Sequence, residues 1–226
     1  MKKTNSSHIR TLTAVSIFCA LSYICVFLIR FKVSFLTFDL KDAIMAIGAM
    51  YFGPVYAVVM PVVVSFVEFL TISDTGVYGL IMNFISSAAF CVIASSIYKF
   101  RKTVTGAVIS LITAVVAMTG IMLAANMFIT PYYMGVTMSD VRNLIPGLLF
   151  PFNLIKGIVN SAVVMLLYKP FSNALKYSGV VRKTGISNTT QSRMSFEKTV
   201  IVAAVSLAVL ATAITVLFYV LGASIA

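Results

Sequence analysis

Apolar residues fall in long runs divided by short polar breaks. The first run covers residues 11–29, and a polar segment, RFKVSFLTFDLKD, follows it. Two shorter stretches, 43–52 and 55–72, flank Gly53-Pro54. Because proline ends a helix and restricts the residue before it, the pair predicts a tight helical hairpin with a short first arm. Further runs cover 77–98, 103–129 and 144–168. Residues 171–198 are polar and rich in Ser and Thr, and a last apolar run spans 199–221. Several runs approach the roughly 20 residues that cross a hydrocarbon core of about 30 Å, so they read as membrane spans. The expectation is an all-α integral membrane protein. A six-helix domain over 1–170 is followed by a cytoplasmic linker, 171–198, and an additional seventh helix in 199–226.

Composition supports lipid as the solvent: the 226 residues are 60% hydrophobic and 10% charged, with no tryptophan. The first run follows Lys2, Lys3 and Arg10 but is too long for a secretory leader and lacks a small-residue cleavage site, so it reads as a span. Cys19, Cys25 and Cys91 lie within spans and read as buried thiols rather than a disulfide framework.

Charge sets the orientation. With the amino-terminus in the cytoplasm, twelve of the 17 Lys and Arg residues fall inside: Lys2, Lys3, Arg10, Lys99, Arg101, Lys102, Lys169, Lys176, Arg182, Lys183, Arg193 and Lys198. Arg30, Lys32, Lys41 and Arg142 fall outside, as the positive-inside rule requires. The net charge of +11 therefore reflects topology and contact with anionic lipid, and implies no nucleic-acid partner.

Two ionisable groups sit at membrane depth, Glu68 and Lys156, where a charge is costly unless it is paired or meets water. Lys156 lies roughly 15 Å into its helix if that helix starts near Pro146. Asn153, Lys156, Gly157 and Asn160 follow i, i+3, i+4, i+7 spacing and share a face. One reading makes this face interhelical glue, with Lys156 paired to Glu68 and Asn160 structural. The other makes it a polar pocket open to the outside, where a lysine donor and an asparagine amide suit a flat heterocycle carrying carbonyls and ring nitrogens. Gly76 and Gly79 in the outer loop, Asn83, Asn126, Thr37 and Asp39 are candidates to complete a polar ring at similar depth. Phe35, Phe38, Tyr78, Phe150 and Phe152 offer stacking faces or form an interfacial belt. The sequence contains no Walker A motif, no HExxH and no Ser/His/Asp set, so neither an enzyme nor a cofactor is expected.

The order LTFDLKDAI, YFGPVYAVV, the glycine-bearing loop followed by Asn83 and Phe84, and PFNLIKGIV resembles the S components of energy-coupling factor (ECF) vitamin transporters, most closely the riboflavin-specific branch, over about residues 10–175. The resemblance implies a six-helix membrane subunit that captures a vitamin from outside. Its partners would be a transmembrane coupling subunit and two cytoplasmic ATPases. It further implies that Asn153 and Lys156 hydrogen-bond the isoalloxazine ring, with Thr37 and Asn83 at further contact positions, and that small residues such as Ser16 and Ala20 on the first span dock the coupling subunit. The chain departs from that pattern in placing Val64, Ser65 and Glu68 where flavin-type members often carry Lys and Asn, and in its seventh span. Another vitamin, or a stand-alone secondary transporter using Glu68 and Lys156, is the competing expectation.

Overall fold

The computed structural model describes the backbone of residues 2–177 and 196–225. The element order is α1 (Lys2–Leu28), β1 (Arg30–Val33), β2 (Leu36–Asp39), α2 (Lys41–Phe52), α3 (Tyr56–Thr71), α4 (Gly76–Phe100), α5 (Val104–Met134), α6 (Met138–Leu144), a π-helical turn (Ile145–Leu149), α7 (Phe150–Tyr177) and α8 (Phe196–Ile225). Among the described residues, four segments are long and apolar enough to cross a membrane: His8–Leu28, Gly76–Phe100, Val104–Met134 and Met138–Phe171. Isoleucine, valine and phenylalanine side chains such as Ile17, Val62, Ile112 and Phe128 face outward. Such a surface is stable against lipid and not against water.

The short α2 is the centre of the bundle. Every residue from Lys41 to Tyr51 is buried, against α1, α3, α4 and α7. A helix with no exposed stripe must be enclosed by others, which explains how 12 residues can be stable at membrane depth without spanning it. Gly48 allows α1 to approach, because a Cβ there would lie 3.0 Å from the Phe18 ring. The α2–α3 break falls at Gly53-Pro54 as the sequence predicts. Gly53 adopts φ 102°, a value that glycine tolerates, and its N–H closes the helix on Ala49 O.

Two features depart from the sequence expectation. The polar segment after α1 is an antiparallel β-hairpin, pairing Arg30 with Asp39 and Val33 with Leu36. Its two-residue turn holds Ser34 at φ 57°, the positive φ that tight hairpins need. Phe31 and Phe38, paired across the strands, stack with centroids 4.9 Å apart. The hairpin thereby folds back onto the bundle instead of leaving it, and Val33 and Phe38 pack with Leu148, Phe152, Ile155 and Val159. Second, the sixth span is entered through α6 and the π turn. Thr137 caps α6 with Asp140 in a reciprocal capping box, and the Phe150 N–H reaches back to Ile145 O.

The predicted linker 171–198 falls mostly on residues 178–195, which lie outside the described residues, as do Arg182, Lys183 and Arg193 of the charge count. Its two ends are helical, in α7 and α8. The seventh helix of the sequence expectation is present as α8, which packs along α7.

Candidate functional site

At the hairpin end of the bundle, β2, α4, α5 and α7 surround a cleft. Thr37, Gly79, Asn83, Asn126, Asn153 and Lys156 all line it. Six of the residues singled out from sequence are therefore brought together from four separate elements. The cleft is narrow, with a volume of about 80 Å³. The mouth is walled by aromatic rings, with Tyr78 of α4 and Tyr133 of α5 facing each other at 6.0 Å between centroids. Phe35 and Phe152 also line it, whereas Phe38 lies beneath, edge-on to Phe152, and Phe150 is exposed.

The polar lining is held by local bonds. Asn153 Nδ2 donates to Leu149 O at 2.7 Å, at the last residue of the π turn, so its Oδ1 is left to the cleft. Asn126 Nδ2 donates to Met122 O at 2.7 Å, and its Oδ1 accepts from Thr130 at 2.9 Å. The Lys156 ammonium sits 2.9 Å from Asp39 Oδ2 and 3.5 Å from Thr37 O. Its charge is thus anchored at the cleft floor by one carboxylate while donor capacity remains, since an ammonium has three N–H groups.

Asp39 and Glu68 lie one layer deeper. They line a smaller adjoining cavity with Thr37, Lys41 and Asn83. The expected pairing of Glu68 with Lys156 is corrected here: Glu68 accepts from Lys41 Nζ through both oxygens, at 2.6 and 2.8 Å, and from Asn83 Nδ2 at 3.1 Å. Lys41 counted as an outer-loop lysine in sequence, but it begins α2 and is 1% exposed. Lys41 also lies 3.9 Å from Asp39, so Lys156, Asp39, Lys41 and Glu68 alternate in sign along one buried row. Asp42 extends the polar layer, accepting from Ser87 at 2.5 Å. Isolated buried charges cost several kcal/mol each, and alternation with multiple hydrogen bonds offsets that cost.

Asn160 is structural, as the glue reading has it. Its Oδ1 accepts from Ala43 N at 2.8 Å, and its Nδ2 donates to Asp39 O at 3.1 Å and Lys156 O at 3.0 Å. One amide thus fixes the hairpin, the start of α2 and α7 relative to each other.

Sequence reasoning missed Lys41, Ser86, Thr130 and Tyr133. Thr130 follows Asn126 at i+4, a spacing that carried the signal. Ser86 carried only a weak one, at i+3 from Asn83, and its buried Oγ has no hydrogen-bond partner. Ser16 and Ala20 are both exposed on the outward side of α1, away from the cleft.

These features define a multi-pass membrane protein with a polar, aromatic-walled cleft at one end. The chain belongs to the family described as ECF transporter, substrate-specific component, which matches residues 10–168. It is a transport subunit, not an enzyme. It is 31% identical over 184 residues to the riboflavin transporter RibU of Staphylococcus aureus (strain TCH60), covering 77% of this chain and 97% of that protein. It is 26% identical over 143 residues to the riboflavin transporter FmnP of Bacillus subtilis (strain 168), covering 59% and 75%. A solved structure described as the S component of a bacterial ECF transporter superposes with a TM-score of 0.64 at 29% identity, covering 75% of this chain and 99% of that one. The family match ends at residue 168, before α8.

Proposed function

We propose that this subunit captures riboflavin or a closely related flavin in the cleft between β2, α4, α5 and α7. The observation that carries the reading is the convergence of Asn153, Lys156, Asn83 and Asn126 between aromatic walls. A flavin is flat, apolar on its faces and edged with carbonyls and ring nitrogens. Aromatic rings match its faces, and amide and ammonium groups match its edges. The relatives named as riboflavin transporters support the same ligand. Since the cleft is narrow, Tyr78 and Tyr133 part to admit the ring system and close over it.

The hairpin end faces the outside in this reading, and the amino-terminus is cytoplasmic, in keeping with Lys99, Arg101 and Lys102 at the opposite end between α4 and α5. A transmembrane coupling subunit docks on the exposed face of α1 around Ser16 and Ala20, where small side chains allow close helix approach, and two cytoplasmic ATPases drive release. Because α8 packs on α7, it leaves that face uncovered.

Purified protein should quench riboflavin fluorescence with one site per chain. Absence of quenching at micromolar protein overturns the flavin assignment. The secondary-transporter reading is disfavoured by the pairing of Glu68 with Lys41 rather than Lys156. Uptake that persists without the ATPase subunits would restore it.

A further inference from the structure

The polar side chains around the cleft are mostly committed to one another. Asn126 is bonded to Met122 O and Thr130, Asn153 to Leu149 O, Asn83 to Glu68 and Lys156 to Asp39. Ser86 is different: it is 3% exposed, and its Oγ is buried without a hydrogen-bond partner. Serines inside helices commonly bond back to a carbonyl of the preceding turn, as Ser22 does to Phe18 O and Ser110 to Ala107 O. Its neighbour Ser87 donates instead to Asp42. A buried hydroxyl with neither kind of bond costs free energy, and native proteins contain few of them. Among the described residues, the other hydroxyls in this condition are Ser65, Thr119 and Ser161, which line neither the cleft nor its adjoining cavity.

The position of Ser86 supplies a partner. On each of three helices one lining residue lies furthest into the bundle: Ser86 on α4, Met122 on α5 and Lys156 on α7. Ser86 lies roughly 12 Å along α4 from Tyr78 at the mouth, at 1.5 Å per residue. The floor therefore offers a hydroxyl and an ammonium, and the mouth offers two phenol rings. A flavin ring system is unequal in the same sense. One end is an imide, with an N–H between two carbonyls, and the other carries two methyl groups. Entry with the imide first brings polar edge to polar floor and leaves the methyl end between Tyr78 and Tyr133. The opposite entry would set methyl groups against the Lys156 ammonium and bring Ser86 nothing to bond. Since no bond holds the Ser86 side chain in one rotamer, its hydroxyl can turn toward the ligand without breaking a contact.

We infer that Ser86 is a specificity-determining residue: its hydroxyl hydrogen-bonds the imide edge of the flavin and selects the orientation in which that edge leads. A hydroxyl both donates and accepts, so it serves either the N–H or a carbonyl of that edge. The inference rests on the flavin reading of the cleft and adds to it a contact and a direction of entry.

The test titrates the full chain with riboflavin and with 3-methylriboflavin, whose methyl group replaces the imide hydrogen, by fluorescence quenching. Melting of the unliganded proteins is measured alongside. The wild type should prefer riboflavin. Ser86→Ala should weaken riboflavin binding by about three- to tenfold, the net effect of one neutral hydrogen bond, and narrow the preference over the methylated ligand. Its unliganded melting temperature should not fall, because no bond within the protein is lost. Thr119→Val, which removes an equally unbonded hydroxyl outside the cleft, should leave both affinities unchanged. Riboflavin affinity unchanged in Ser86→Ala overturns the inference, and so does equal weakening of both ligands, which would place the hydroxyl away from the imide edge. A wild type that quenches neither ligand overturns the flavin reading itself, an outcome distinct from a wild type that binds and a Ser86→Ala variant that binds equally well.

Discussion

The Lys41 ammonium lies 2.6 Å from Glu68 Oε2, and both side chains are almost wholly buried. This contact joins the start of the central helix α2 to the last turn of α3. It also decides what Lys156 does, because Glu68, once committed to Lys41 and Asn83, leaves Lys156 to Asp39 at the cleft floor.

Removing one member of that pair strands the other. Lys41→Met should destabilise the protein by about 3–5 kcal/mol, the range for breaking a buried ion pair from one side. Lys41→Met combined with Glu68→Met should recover much of the loss, since two apolar side chains leave no uncompensated charge. Thermal unfolding in detergent, followed by intrinsic tyrosine fluorescence, compares the three proteins. A double variant no more stable than the single one would mean that Asn83 and Asp39, not the pair, set the energetics here.

Lys156 and Asn160 share one face of α7, and the structure separates their roles. Asn160→Ala leaves Ala43 N and Asp39 O without partners, at about 1–3 kcal/mol for each buried group left unsatisfied, so stability should fall while flavin affinity changes little. Lys156→Ala should weaken flavin binding by about 1.5–3 kcal/mol, the range for a hydrogen bond to a charged group. Titration by fluorescence quenching and unfolding of the unliganded proteins read the two effects separately. The reverse pattern would make Asn160 the ligand contact and Lys156 the tie.

The contrast between these residues shows what the chain reveals on its own. Spacing along one helix was legible: Asn153, Lys156, Gly157 and Asn160 share a face because 3.6 residues make a turn. The Gly53-Pro54 break and the order of spans were legible for equally local reasons. Depth and rotation between helices were not. Lys41 opens a short apolar run, and nothing in 12 residues distinguishes a helix that starts at the surface from one enclosed on all sides. Glu68 and Lys156 were the two ionisable residues within predicted spans, so pairing them was the economical choice. The true partner, Lys41, stood in a segment whose β-hairpin folds it inward. That hairpin was hidden because RFKVSFLTFD has the polarity of a loop, and its inward turn depends on Phe31 stacking on Phe38 and on Phe38 meeting Phe152.

Gly48 tests the packing of α1 on α2. A Cβ there meets the Phe18 ring at 3.0 Å and Met60 Cε at 3.2 Å, so the larger Gly48→Val should cost about 1–3 kcal/mol by overpacking. Gly120, inside α5 with open space where its Cβ would be, is the control. Gly120→Ala should be neutral or stabilising by about 0.5–1 kcal/mol through helix preference alone. Melting temperatures that fall equally in both variants would place the strain in the helices themselves rather than at the α1–α2 contact.

If the coupling subunit docks on the exposed face of α1, as proposed, capture and coupling can be separated there. Ser16 and Ala20 are exposed and far from the cleft, so Ala20→Trp should leave flavin affinity within about twofold of the wild type, as expected for a surface change remote from the site. The same bulk would hold a partner helix away from α1, whose close approach depends on small side chains. Co-purification with the coupling subunit should therefore be lost, and ATP-driven uptake with it, while Val116→Trp on the outward side of α5 preserves both. If Ala20→Trp still assembles and transports while Val116→Trp fails, the docking face lies on α5. In that event α8, packed against α7 and bordering α5, would have to be part of the interface.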